Sequence, residues 1–237
     1  MSPLWIPYRV LLFRRCIFQP HISRGAGEHM KSSTEVDPRP GHEPGEVAPQ
    51  HDVVCLHGGG GAAEWFAQQL DALGARAWEP GIGMTLDVTG PPSHMDEWVE
   101  AASSALYEST AGPAHILASG TAAYGAIMLA AVHPDQIKSV ILGDPLVDTS
   151  VEGFVATLRR VRAPSLVIAA APDLDADISI PQSIAGGIRN GVFVIIDNTA
   201  VPAHQSRSHS FNEWSRSFMN IAEGLHTVTE TQEERSA

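Results

Sequence analysis

The stretch HILASGTAAYGAIMLAAVHP, residues 115–134, constrains this chain more than any other. Residues His115 to Ser119 read as a buried strand, Gly120 to Ala123 as an abrupt turn of small residues, and the remainder as a helix ending at His133. A strand can feed directly into a helix this tightly only where the side chains at the junction are small and one residue accepts a left-handed backbone. Gly120, Ala122 and Ala123 meet that need. The stretch therefore predicts a layered α/β architecture with a ligand site at this turn.

The flanking pattern agrees. Val53-Val54-Cys55-Leu56 is a continuous apolar run of the kind buried on both faces of a parallel sheet, and a loop His57-Gly58-Gly59-Gly60-Gly61 follows it. Helical spacing covers 62–73, with Gly74 as its C-terminal cap, and Met84 to Val88 reads as the next strand. An amphipathic helix is expected over 95–108, a strand over 136–142, a short helix over 151–161 and a strand over 165–170. A helix over 181–189, a strand over 192–196 and a last helix over 211–225 complete the series. Strands alternating with helices predict a mainly parallel sheet covered on both faces. Ligands then bind at the carboxyl ends of the strands, where His57–Gly61, Gly90–Ser93, Ser119–Thr121, Asp173 and Val201–His204 all fall.

Residues 1–51 differ in character. The first twenty mix apolar residues with Arg9, Arg14 and Arg15, which break the run into pieces too short to span a bilayer or serve as a secretory signal. They read as a leader, with Met30 as an alternative beginning of the chain. Residues 31–51 are rich in Pro, Gly, Glu and Ser and read as a disordered linker; 226–237 read as a disordered polar tail. The expected folded domain is 52–225.

The net charge of -12 argues against a nucleic-acid surface. The acidity sits beyond residue 50, where 22 Asp and Glu face nine Lys and Arg. A small-molecule or peptide-like substrate fits better than a polyanion. Two cysteines, Cys16 and Cys55, form neither a disulfide framework nor a metal cluster, and a cytoplasmic compartment is expected. No metal site and no cofactor are expected. As a phosphate cradle the glycine run fails, because no Lys-Ser/Thr follows it.

With these segments in place, residues 52–225 resemble the α/β-hydrolase family. LHGGGG at 56–61 is similar to the family's oxyanion loop, with Trp65 on the helix behind it. DVTGPPS at 87–93, HPDQIKSVILGDP at 133–145 and PSLVIAAAPD at 164–173 are similar to three further family segments in the same order. ASGTAA at 118–123 falls on the family's Gly-x-Ser-x-Gly-Gly nucleophile elbow. The resemblance implies an α/β-hydrolase fold with little or no cap, since the segment between Leu142 and Ser165 is short.

It also places the triad, and here the chain departs from the family. Gly120 occupies the nucleophile's position, so the hydroxyl is missing. Asp173 falls on the acid's position. Two registers serve the base: ungapped alignment puts Val201 there, and a three-residue slide puts His204 there. The oxyanion donors would be the backbone N–H groups of Gly59 and Thr121, which survive loss of the serine. His57, Gly58, Gly60 and Tyr124 would line the pocket, or Tyr124 would simply pack.

Three functions follow. One is proton transfer beside a carbonyl, as in epimerisation or elimination, with the amides of Gly59 and Thr121 polarising the carbonyl and Asp173 or His204 moving the proton. A second is hydrolysis by a displaced triad of Ser119, His204 and Asp173. A third is a binding protein that retains only the pocket.

Overall fold

A computed structural model of the chain describes residues 51–57, 61–78 and 92–234. The expected leader and linker, the strand at 84–88 with its following loop, and Gly58, Gly59 and Gly60 lie outside these residues.

The described elements run β1 (Val53–Leu56), α1 (Ala62–Trp65), α2 (Ala67–Leu73), β2 (Arg76–Trp78), α3 (Pro92–Ser109), β3 (Ala114–Ser119) and α4 (Ala122–Val132). A 3-10 turn at Pro134–Gln136 leads into β4 (Ile137–Gly143), then α5 (Phe154–Arg160), β5 (Ser165–Ala171), α6 (Ser179–Gly187), β6 (Gly191–Asp197), α7 (Ala203–Ser206) and α8 (Ser208–Glu234). The six strands form one sheet in the order β2-β1-β3-β4-β5-β6, with every neighbouring pair parallel.

Side chains on both faces of the sheet are buried, which is why its inner strands are apolar without alternation. Val54, Leu56, Ile116, Ala118, Val140, Leu142 and Val167 face one layer, packed by α3, α4, α5 and α6 through residues such as Trp98, Leu106, Phe154 and Ile184. Val53, Cys55, Leu117, Ile141, Leu166 and Ile168 face the other, packed by Phe66 and Leu73 and by Phe211, Phe218 and Met219 of α8. Each large side chain so buried contributes roughly 1.5–3 kcal/mol. Helix α4 is buried nearly all round, and Ala122, Ala123, Ala126 and Ala130, all at 0% exposure, let it lie close against the sheet. Burial without a partner raises the Cys55 thiol to about 12, which makes it an inert small apolar residue.

Four elements differ from the sequence reading. The helix expected over 62–73 is two helices hinged at Phe66, whose side chain turns inward to 0% exposure. Strand β2 is three residues long, Arg76-Ala77-Trp78, with only Trp78 buried, so it carries no apolar run to betray it. Helix α7 occupies what reads as loop. Helix α8 continues to Glu234 where a disordered tail was expected past Leu225; once a long helix is nucleated, each added residue costs little. No helix among the described residues is long and apolar enough to cross a membrane.

Candidate active site

The strand order fixes where a ligand can sit. From β1 the chain moves outward to β2, then returns to the other side of β1 as β3. The crevice at such a reversal opens between the carboxyl ends of the two strands. His57 follows β1 and Gly120 follows β3, so both flank it.

Gly120 sits at φ +60°, the left-handed conformation that favours glycine. Its N–H donates to the Gly143 carbonyl at 3.2 Å, and its own carbonyl accepts from the Leu146 N–H at 3.0 Å, so the apex is tied to the end of β4. In the direction in which a Cβ would project, no described residue lies within 4 Å. The turn has the shape of an elbow that holds a side chain out into a crevice, but no side chain is there. Next to it, exposed Thr121 begins α4. Its N–H has no partner among the described residues and lies at the positive end of the helix.

Ser119 does not replace the missing hydroxyl. Strand alternation puts it on the face of Leu117, beneath α1, and it is 3% exposed. Its Oγ accepts from the Trp65 indole N–H at 3.4 Å. Trp65 is also stacked on His57, with ring centroids 4.6 Å apart.

His204, the residue reached by the three-residue slide, lies inside. It projects from α7 at 0% exposure into a cage of Phe66, Trp65 and Phe211, with centroids at 4.8, 5.4 and 5.8 Å. Neither ring nitrogen makes a hydrogen bond of good geometry. Burial lowers its pKa from 6.5 to about 4; the Trp65 backbone favours the charged form and His57 opposes it. His204 is therefore neutral at pH 7. Val201, the other candidate for this seat, is 60% exposed and is not the inward residue.

The acid does not complete a triad. Asp173 is exposed, and its Oδ1 accepts the Asp175 N–H at 3.0 Å in a local turn rather than bonding an imidazole. A different carboxylate, Asp144, is buried between strand ends. Its Oδ1 and Oδ2 accept the N–H groups of Ala170 and Ala203, each at 2.6 Å. Burial raises its pKa, and the two amides work against that rise. Asp144 thus anchors α7 beside β4 and β5 and fixes where His204 sits. Gln69 holds the same helix from below, donating to the His204 carbonyl at 2.8 Å and to Asn212 Oδ1 at 3.0 Å.

Gly143 allows the close packing around this histidine. A Cβ there would stand 3.0 Å from Phe211 Cε2 and 3.9 Å from His204 Nδ1. Tyr124 faces the other layer, stacked on Phe154 at 5.5 Å, with its pKa raised by burial and then by the Asp96 charge. It packs in the described structure. The structure thus gathers His57, Trp65, Ser119, Gly120, Thr121 and His204 at the switch point, and leaves Asp173 and Val201 facing solvent.

The sheet and its flanking helices superpose on those of solved proteins. An alpha/beta hydrolase enzyme from the metagenome of sediments of the Mar Chica lagoon, Morocco, superposes with a TM-score of 0.58 at 12% identity, over 73% of this chain and 92% of that one. This is the α/β-hydrolase fold. The meta-cleavage product hydrolase of Pseudomonas fluorescens matches at a TM-score of 0.57 and 14% identity, over 73% of this chain and 91% of that one. A serine hydrolase involved in carbazole degradation matches at 0.56 and 12%, over 73% and 92%. No protein-family model and no curated protein matches the sequence. At such identities the α/β-hydrolase fold is shared while the chemistry of each site stands on its own residues.

Proposed function

We propose that this chain is a cofactor-free enzyme on the α/β-hydrolase fold that moves a proton beside the carbonyl of a small or peptide-like substrate, in the cytoplasm, without forming an acyl-enzyme. One observation carries the reading: the elbow keeps its left-handed apex at Gly120, with no described residue within 4 Å of the direction of its Cβ and no partner for the Thr121 N–H among the described residues. A carbonyl oxygen seated there gains a backbone donor and the favourable end of the α4 dipole, both worth most when negative charge develops as an enolate. Gly59, as second donor, would complete the hole.

The base in this proposal is His204. Its depressed pKa makes it a weak base in the free protein. A developing enolate nearby raises its proton affinity by direct attraction, so the two charges form together. Exposed Asp173 would exchange the proton with solvent. Epimerisation and elimination are the reactions this arrangement serves.

A second reading, a binding protein without turnover, is favoured by the complete burial of His204 and by the acid that turns away from it. The hydrolytic alternative of Ser119, His204 and Asp173 has the least support, because Ser119 Oγ is engaged by Trp65 and Asp173 by Asp175. One experiment separates the three. A panel of N-acetyl amino-acid esters is held with the protein in deuterated water and followed by NMR. Exchange at the α-carbon that disappears in Thr121→Pro and His204→Phe supports proton transfer. Thr121 has φ -68°, which proline adopts without changing the angle while deleting the N–H. Binding without exchange favours the second reading, and ester cleavage the third.

A further inference from the structure

At the end of the sheet opposite the elbow lies a polar cluster for which neither the fold nor the site above has a use. His51 precedes β1, His115 is the second residue of β3 and Glu223 projects from α8. His51 Nδ1 and His115 Nε2 lie 3.0 and 3.2 Å from the same oxygen, Glu223 Oε1. The three atoms are all within 4.8 Å of one another. His51 is 8% and His115 0% exposed, while Glu223 keeps an opening to solvent at 28%.

We infer that His51, His115 and Glu223 form a binding site for one divalent transition-metal ion of the zinc type.

The donor set fits that class. Two imidazoles and a carboxylate suit zinc and its first-row neighbours, whereas calcium and magnesium require oxygen ligands throughout. With metal–ligand bonds of about 2.0–2.1 Å, ligand atoms in a tetrahedral site stand about 3.3 Å apart. Both nitrogen–oxygen separations lie close to this, and the two nitrogens are within 4.8 Å of each other. Glu223 is 28% exposed, so solvent can supply a fourth ligand.

The outer contacts are those of a metal-bound histidine. His115 Nδ1 lies 2.7 Å from Ser139 Oγ, directly across the β3–β4 register, and both residues are 0% exposed. In the tautomer whose Nδ1–H donates to Ser139 Oγ, the Nε2 lone pair points at the ion, and such an outer contact fixes the tautomer and orientation of a metal-ligating ring. His51 and His115 meet edge to face at 5.6 Å, so their nitrogens converge without stacking. Lys138 Nζ stands 4.0 Å from Glu223 Oε1 and is part exposed, so it can swing to water when a cation takes its place.

The consequence is structural rather than chemical. His115 and Ser119 are opposite ends of one strand, so the ion sits remote from the elbow. It would tie the segment entering β1 to the middle of the sheet and to α8, three parts of the chain far apart in sequence.

The test is a zinc titration of the full chain by calorimetry against a competing chelator, with thermal unfolding in parallel. The expected result is one ion per chain, a raised Tm with zinc, and no effect of calcium or magnesium. His51→Ala and Glu223→Gln should each weaken binding at least tenfold, and Ser139→Ala about tenfold to a hundredfold with all three ligands present. His209 and Glu213, an exposed pair 3.4 Å apart on α8, supply the control, and His209→Gln should leave affinity unchanged. No uptake of zinc, or uptake that survives both His51→Ala and Glu223→Gln, overturns the inference. Fully buried His115 is left intact in these variants, and their unfolding curves without zinc separate loss of binding from loss of folding, for buried Ser139→Ala above all.

Discussion

Replacing His204 by phenylalanine should make the protein more resistant to acid. The ring sits among Phe66, Trp65 and Phe211, neutral because burial lowers its pKa from 6.5 to about 4. Above pH 6.5 neither the folded nor the unfolded chain protonates it, and the residue adds no pH dependence. Between 6.5 and 4 the unfolded chain binds the proton and the folded chain does not, so stability falls as pH falls. One pKa unit corresponds to about 1.4 kcal/mol, which gives about 2 kcal/mol lost at pH 5 relative to pH 7.5 and about 3 kcal/mol in full. In His204→Phe this component is gone. The packing cost of the larger ring is independent of pH and cancels when each chain is compared with itself at two pH values. His115, also lowered to about 4 by burial, contributes equally to both chains and cancels as well. Urea unfolding followed by circular dichroism at pH 7.5 and 5.0 reads the difference. A loss at pH 5 that is the same in both chains would refute the burial of a neutral His204.

The other predictions concern the frame around this histidine. Gly143→Ala puts a methyl 3.0 Å from Phe211 Cε2 and should cost about 1–3 kcal/mol by urea unfolding. Asp144→Asn turns an amide NH₂ against one of the two N–H groups its carboxylate now accepts, and should cost about 1–3 kcal/mol by the same measurement. Gln69→Leu leaves the buried His204 carbonyl without its donor, with an expected loss of about 1–3 kcal/mol. Gly120→Ser meets no described residue but must hold a serine at φ +60°, so it should fold with a penalty of about 1 kcal/mol. It should not gain aryl-esterase activity, because no acid supports His204.

The sheet was legible because its strands are buried on both faces, and runs such as Val53–Leu56 and Ser165–Ala170 have no other comfortable place. The elbow was legible for the same physical reason: small residues at 120–123 are what a strand-to-helix junction requires. What escaped the sequence depends on contacts distant along the chain. Ungapped register counting favours Val201 over His204, and only the cage of Phe66, Trp65 and Phe211 shows which of them is the inward residue. Asp144 reads as a turn residue after a strand; its partners at Ala170 and Ala203 appear only once β4, β5 and α7 are adjacent. His51, His115 and Glu223 have no spacing that a motif could capture.

The central claim is that the elbow keeps its geometry and lacks a nucleophile. Intact-mass and peptide mass spectrometry of the wild-type chain after exposure to a reactive fluorophosphonate addresses it most directly. The chain should remain unmodified, with Ser119 protected beneath Trp65. A stoichiometric adduct on Ser119 would contradict it.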